Sequence, residues 1–315
     1  MTKQATPDEQ EGTLLTGLDG TNPLGFLAAI GLFRAIDDVA HYPGQARLQW
    51  SPCNGTWVPR ITGLRLDPAS LLDLLEATLV KKIDQHPIYV LDKLGSDDPI
   101  QRTSLFRQSA RELDVDHRIR ADWLTALASD VVPAAAINQL QTTRRDYYFG
   151  NLTSVIACTT REHLDRAIFH AWDYADPLDN QSLHLDPSED RRHAHQWNKP
   201  AGDPDRKNSG GMLGANRLAI EALVWFSSLP EGDILHTVGF TGRRSRNTRW
   251  TWPIWNIPLG ASTIRSTLTL AELQAKDVSP NAANQLRCRG VVAAFRTARI
   301  LVGKTPNFTP AQRVA

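Results

Sequence analysis

Leu24 to Phe33 is a ten-residue stretch that is almost wholly apolar, and Asn22-Pro23 stands directly before it. An asparagine oxygen accepts from the first free backbone N–H groups of a helix. A proline suits the first helical position, where its missing N–H would find no partner anyway. Leu24, Leu27, Ala28 and Gly31 recur at helical spacing, so the pattern predicts a helix over roughly residues 23–39. Ten residues is about half a membrane span, so this helix is expected to be buried in a protein core as a structural element. Gly25, Ala28, Ala29 and Gly31 would let another backbone approach it closely.

The flanking chain reads as mixed structure. Thr13 to Leu18 suits a short buried strand, and Asp19 to Pro23 a turn. Ala46–Ser51 and Thr56–Ile61 read as strands joined at Pro52-Cys53-Asn54-Gly55, where Asn-Gly supplies positive φ. Asp67-Pro68 opens a helix with Leu71, Leu74, Leu75 and Leu79 on one face. Residues 81–117 are mixed and polar, with a loop near Gly95 to Pro99. Helical patterns return at about 117–130, 160–174 and 215–229. Asp176 to Gly211 is rich in Pro, Gly, Asp and Asn and reads as a long functional or disordered loop. Ile234–Phe240, Thr248–Trp255 and Ser262–Leu270 look like strands of an antiparallel meander, and Arg289–Val302 fits either period.

Strands and helices do not alternate regularly, which points to an α+β class. The expected layout is an N-terminal mixed domain with a helix after the first strand, and a C-terminal antiparallel meander with helices. Residues 1–180 would form an acidic α+β region and 181–315 a basic, nucleic-acid-facing one, or the two would form one continuous domain. With 315 residues, a core of adequate size needs no disulfide or metal. Cys53, Cys158 and Cys288 lie far apart and read as small core residues in a reducing cytoplasm. Met1 to Gly12 lacks the basic and apolar regions of a signal peptide, so a cytoplasmic protein is expected.

The net charge of +1 hides a division. Residues 240–315 hold 12 Lys and Arg against 2 Asp and Glu, whereas residues 1–239 hold 23 against 32. A basic quarter dominated by arginine points to a polyanion partner, or else to packing against the acidic remainder. Its densest part is Thr241 to Arg249, where Arg243, Arg244, Arg246 and Arg249 would present guanidinium groups to phosphates or guanine edges from a hairpin tip. Arg287, Arg289, Arg296 and Arg299 add to the same charge. In the strand after the tip, Trp250, Trp252 and Ile254 share one face. Arg249, Thr251 and Trp255 share the other, where Trp255 could stack on a base or join the core.

Two further clusters invite a chemical reading. Asp186, Glu189, Asp190, His193 and His195 are metal-ligand types crowded together, and Arg191 and Arg192 between them could pair with the acids or turn to phosphate. Gly210 to Gly214 leads into a helix whose first N–H groups could hold a phosphate beside Asn216 and Arg217. Close helix packing through glycine explains that segment equally well. It lacks the Lys-Ser/Thr of a P-loop.

Leu15 to Leu32, Asp186-Pro187-Ser188-Glu189-Asp190-Arg191-Arg192, Gly214-Ala215-Asn216-Arg217-Leu218-Ala219 and Thr251-Trp252-Pro253-Ile254-Trp255 together resemble, in order and spacing, the large-subunit family of type I-G (formerly type I-U) CRISPR–Cas effector complexes. His193 departs from that pattern, which has an aromatic residue there. The resemblance implies a non-catalytic subunit with no cofactor or metal, part of a crRNA-guided antiviral ribonucleoprotein. Its partners would be crRNA and target DNA, the backbone and crRNA-processing subunits, and a helicase-nuclease recruited after target binding. No membrane is involved. In such systems base pairing reads the sequence while protein contacts read a short motif and the backbone. One alternative is a metal-dependent nuclease built on Asp186, Glu189, Asp190 and His195. Another is an assembly protein whose basic face docks acidic subunits.

Overall fold

The computed structural model describes residues 12–40, 42–91, 98–113, 117–129, 138–143, 145–178, 180–189, 210–231, 234–242, 248–302 and 305–315. Strand β1 is only Thr13–Leu14, because the chain turns at Leu15, whose carbonyl accepts from Leu18 N at 3.1 Å. Helix α1 (Pro23–Arg34) follows, with the Asn22 oxygen accepting from Leu24 N and Gly25 N at 2.8 and 3.3 Å. One π-type turn, Ala35–Val39, prolongs it. β2 (Arg47–Cys53) and β3 (Thr56–Thr62) form a hairpin, with φ of 47° at Asn54 and 85° at Gly55, and β1 pairs with β3. Cys53 lies in this exposed hairpin end. Cys158 and Cys288 are exposed too, so none of the three cysteines fills the core.

Next come α2 (Pro68–Leu75), α3 (Ile88–Leu91), α4 (Pro99–Arg111), α5 (Arg118–Leu127), α6 (Arg145–Cys158), α7 (Arg161–Phe169) and α8 (Leu213–Ala222). The Asp67 carboxylate caps α2 by accepting from Ser70 N at 2.7 Å. Then β4 (Ser228–Glu231) and β5 (Ile234–Thr237) pair with each other. The C-terminal part holds β6 (Phe240–Thr241), β7 (Arg249–Trp255), α9 (Ala261–Leu268), α10 (Ala271–Gln274), α11 (Pro280–Cys288), β8 (Val291–Val302), β9 (Thr305–Phe308) and β10 (Gln312–Arg313). β6, β7, β8 and β9 run as an antiparallel meander, while β10 pairs with β8. The class is α+β.

One expected strand is corrected. Ser262–Leu270 alternates in a way that suggests β structure, yet its residues lie largely in α9. Ile264, Thr267 and Leu268 recur three and four apart and are buried on one helical face. The hydroxyls of Ser266 and Thr267 donate back to the carbonyls of Ser262 and Thr263, at 3.1 and 2.7 Å, which satisfies them without a sheet.

All twelve residues of α1 are buried. On one side, the Phe26 ring lies 5.7 Å from Trp50 of β2, and 6.2, 5.8 and 6.4 Å from Trp250, Trp252 and Trp255 of β7. On the other, Gly31 faces the Leu218 backbone of α8. The helix thus joins both larger sheets and α8, and a single apolar cluster extends from Leu15 to Phe308. Among the described residues, no helix is long and apolar enough to cross a membrane.

Candidate nucleic-acid interface

β6 and β7 pair as Phe240↔Trp250 and Thr241↔Arg249, so residues 242–248 connect the two strands. Arg243, Arg244 and Arg246 lie outside the described residues. Arg249, at the start of β7, is exposed and makes no ion pair among the described residues. On β8, Arg296 stands opposite Thr251, close enough to Arg249 for their charges to interact. Burial, then repulsion from Arg249, lowers the Arg296 pKa from its ordinary value.

The Arg296 guanidinium is nonetheless committed to its own chain. It donates to Thr251 Oγ1 at 2.8 Å and to the carbonyls of Leu273, Ala275 and Lys276 at 3.1, 2.7 and 2.5 Å. Those carbonyls end α10, so Arg296 satisfies acceptors that a helix terminus leaves free. Arg299 is also turned inward, donating to the Gln141 carbonyl at 2.7 Å, and burial pushes its guanidinium down to about 10. Arg289 pairs with Glu272 at 2.6 Å. Arg287 is exposed on α11.

The tryptophans of β7 belong to the interior. Trp252 Nε1 donates to the Gly20 carbonyl at 2.8 Å and Trp255 Nε1 to the Leu48 carbonyl at 2.7 Å. The β7–β8 register shifts between Ile254 and Trp255, and Trp255 reaches Phe26 as Trp252 does. A bulge re-aims side chains in this way. Trp255 is fully buried and is not a stacking platform.

Asn216 and Arg217 are likewise corrected from ligand-binding candidates to interior residues. The Asn216 oxygen accepts from Leu183 N at 2.8 Å and its amide donates to the Met212 carbonyl at 3.0 Å. Arg217 is 1% exposed and donates to Glu221 Oε1 at 2.7 Å. Glu221 also accepts from Arg34 at 2.6 Å and from His86 Nε2 at 3.0 Å, while His86 Nδ1 accepts from Ile88 N at 3.2 Å. That pattern defines a neutral imidazole carrying its proton on Nε2. Burial holds the His86 pKa below its ordinary value despite the Glu221 contact. Burial pushes Glu221 upward, but Arg217, His86 and Arg34 outweigh it and hold the carboxyl well below the usual range. This buried network links α1, α8 and the segment before α3. In the sequence only the four-residue spacing of Arg217 and Glu221 is legible; Arg34 and His86 reach Glu221 from far along the chain.

A phosphate at the start of α8 would meet a carboxylate already in place. Asp176 Oδ2 accepts from Leu213 N at 2.7 Å, and its Oδ1 accepts from Arg166 at 2.7 Å. Gly210 and Gly211 allow the backbone pairing of Asp176 with Gly211, at 3.1 and 2.7 Å, that holds this carboxylate at the helix end. A side-chain anion thus occupies the positive end of the helix.

Asp186 and Glu189 are buried. Asp186 accepts from Ser188 N at 2.8 Å and Tyr174 Oη at 2.9 Å, while Glu189 accepts from Ser182 Oγ. Burial first, with Glu189 adding to it, raises the Asp186 pKa. Asp190, Arg191, Arg192, His193 and His195 lie outside the described residues. Among the described residues, no three His, Cys, Asp or Glu side chains converge as a metal site. Compared with known proteins, the chain matches no family model and no curated protein.

Proposed function

We propose that this chain is a non-catalytic subunit of a crRNA-guided antiviral surveillance complex in the cytoplasm. It binds target DNA, taking part in motif recognition and duplex opening, beside backbone and crRNA-processing subunits. A separate helicase-nuclease then cuts. The observation that carries the reading is Arg249: exposed, unpaired among the described residues, and next in sequence to the Arg243–Arg246 run. The four spaced motifs, and a C-terminal quarter with 12 cations against 2 anions, support the same reading. Phosphate contacts position such a protein, and bidentate arginine contacts read guanine.

The test is a salt titration of binding to motif-bearing and scrambled duplexes, with the chain in its complex. Replacing Arg243, Arg244 and Arg246 by Ala is expected to weaken binding and flatten the log–log salt slope by about two to three. Unchanged affinity and slope would leave the basic quarter as a protein-docking face.

A further inference from the structure

Arg299 is a largely buried cation with no counter-charge among the described residues. Its backbone N donates to the Thr248 carbonyl at 2.9 Å, which places it where the β6–β7 connection meets β7. Its guanidinium donates through Nη2 to the Gln141 carbonyl at 2.7 Å, and its Nε is buried without a hydrogen-bond partner. Burial alone lowers its pKa to about 10, so it stays charged at neutral pH. Two more buried polar atoms beside Gln141 lack partners, Asn138 Nδ2 and Thr143 Oγ1, and Asn138 is 0% exposed. Both residues are tied to Gln141. Asn138 Oδ1 accepts from Gln141 N at 3.0 Å, and the Thr143 carbonyl accepts from Gln141 Nε2 at 2.7 Å. Gln139 anchors the same segment to β5, exchanging hydrogen bonds with Thr237 at 2.9 and 3.0 Å.

We infer that Arg299, Asn138 and Thr143 together hold one phosphate group. Buried charges are paired in proteins, and a buried N–H or O–H left unbonded carries its full desolvation cost. Guanidinium, amide and hydroxyl all donate, and the guanidinium is cationic, so the missing partner is an anion. A tetrahedral oxyanion offers a separate oxygen to each donor, and guanidinium groups bind phosphate through two parallel bonds. The phosphate has two possible sources, a nucleic-acid backbone or the free ion. The first rests on the nucleic-acid reading above and deepens it: Thr248 closes the connection that carries Arg243, Arg244 and Arg246, so a strand held by those arginines passes this site.

The experiment melts the full chain in potassium phosphate and in potassium chloride of equal ionic strength, as wild type, Arg299→Met, Asn138→Asp and Arg249→Ala. Phosphate at about ten times its dissociation constant is expected to raise the wild-type melting temperature by about 2 °C. Phosphate also stabilises proteins through exclusion from their surface, so the reading is the excess of wild type over Arg299→Met. Arg299→Met removes the unpaired charge. It is expected to melt no lower than wild type in chloride and to lose the excess. Asn138→Asp keeps the acceptor for Gln141 N and builds an anion into the site. It is expected to melt higher than wild type in chloride and to lose the excess too. Arg249→Ala keeps it. A salt titration of duplex binding separates the sources. Arg299→Met flattens the log–log slope by about 0.9 if the phosphate belongs to the duplex, and leaves it unchanged if the site takes the free ion. An Arg299→Met chain that matches wild type in both phosphate response and slope overturns the inference. So does one that melts lower by the same amount in both salts with its slope unchanged, which would make Arg299 a strut for the Gln141 carbonyl. If Arg249→Ala weakens duplex binding while Arg299→Met moves neither readout, this site fails and the proposed function stands. If Arg299→Met loses the phosphate response but the wild type binds no duplex, the site stands and the proposed function fails.

Discussion

Gly31 of α1 lies so close to Leu218 of α8 that a methyl group on it would sit 1.8 Å from the Leu218 carbonyl oxygen and 3.0 Å from Ala222 N. Both obstacles are backbone, so no side chain can swing aside. Gly31→Ala is expected to force the helices apart and destabilise the fold by about 1–3 kcal/mol or more, with Gly31→Leu worse. Urea denaturation of the purified chain reads this. A midpoint equal to wild type would mean that the crossing is looser than described.

Arg217 is expected to matter for stability and not for ligand contact. Breaking an isolated buried ion pair costs about 3–5 kcal/mol, but Glu221 would keep Arg34 and His86. Arg217→Ala should therefore lower the unfolding free energy by less than that, while nucleic-acid affinity per folded molecule stays put. Intact stability with lost affinity would return Arg217 to the interface.

The same network makes the fold sensitive to acid. His86 has a folded pKa below its ordinary 6.5, so the unfolded chain binds a proton more readily. Its contribution is complete above pH 6.5 and is lost as the pH falls below it. Glu221, also lowered in the fold, keeps its contribution above its ordinary 4.5 and loses it below. Melting temperature is expected to fall from pH 6.5 toward 5, and less steeply in His86→Gln. Parallel curves for the two proteins would assign the titration to another group.

Asp186 has the opposite sign. Its pKa is raised in the fold, so its contribution is complete below its ordinary 3.8 and diminishes as the pH rises through the raised value. Asp186→Asn is expected to melt no lower than wild type at pH 7, with any advantage shrinking toward pH 4. Neither protein is expected to cleave DNA or RNA with Mg²⁺ or Mn²⁺. A divalent-dependent cleavage or rise in melting temperature that Asp186→Asn abolishes would establish a metal role instead.

Four helices begin with a capping side chain followed by proline: Asn22-Pro23, Asp67-Pro68, Asp98-Pro99 and Ser279-Pro280. The first two are recognised in the sequence because an apolar period follows. The same signal at Asp98-Pro99 is equally legible, but the polar residues behind it hide α4, whose helicity shows no strong apolar stripe. The helix α6 carries no such start signal in the described residues and was missed for that reason.

The sequence by itself determined the caps, the Asn54-Gly55 turn, the burial of α1, the α+β class and the uneven charge, since each depends on residues a few positions apart. Only the tertiary structure decided which charges face water. Arg217, Arg296 and Arg299 are no different in sequence from Arg249, yet their guanidinium groups turn inward to Glu221 or to backbone carbonyls brought from far along the chain. Trp255 was likewise assigned to the core by a register shift against β8. Whether an arginine or a tryptophan is a ligand or a strut depends on what lies within about 3 Å of its polar atoms. Local spacing does not encode that distance.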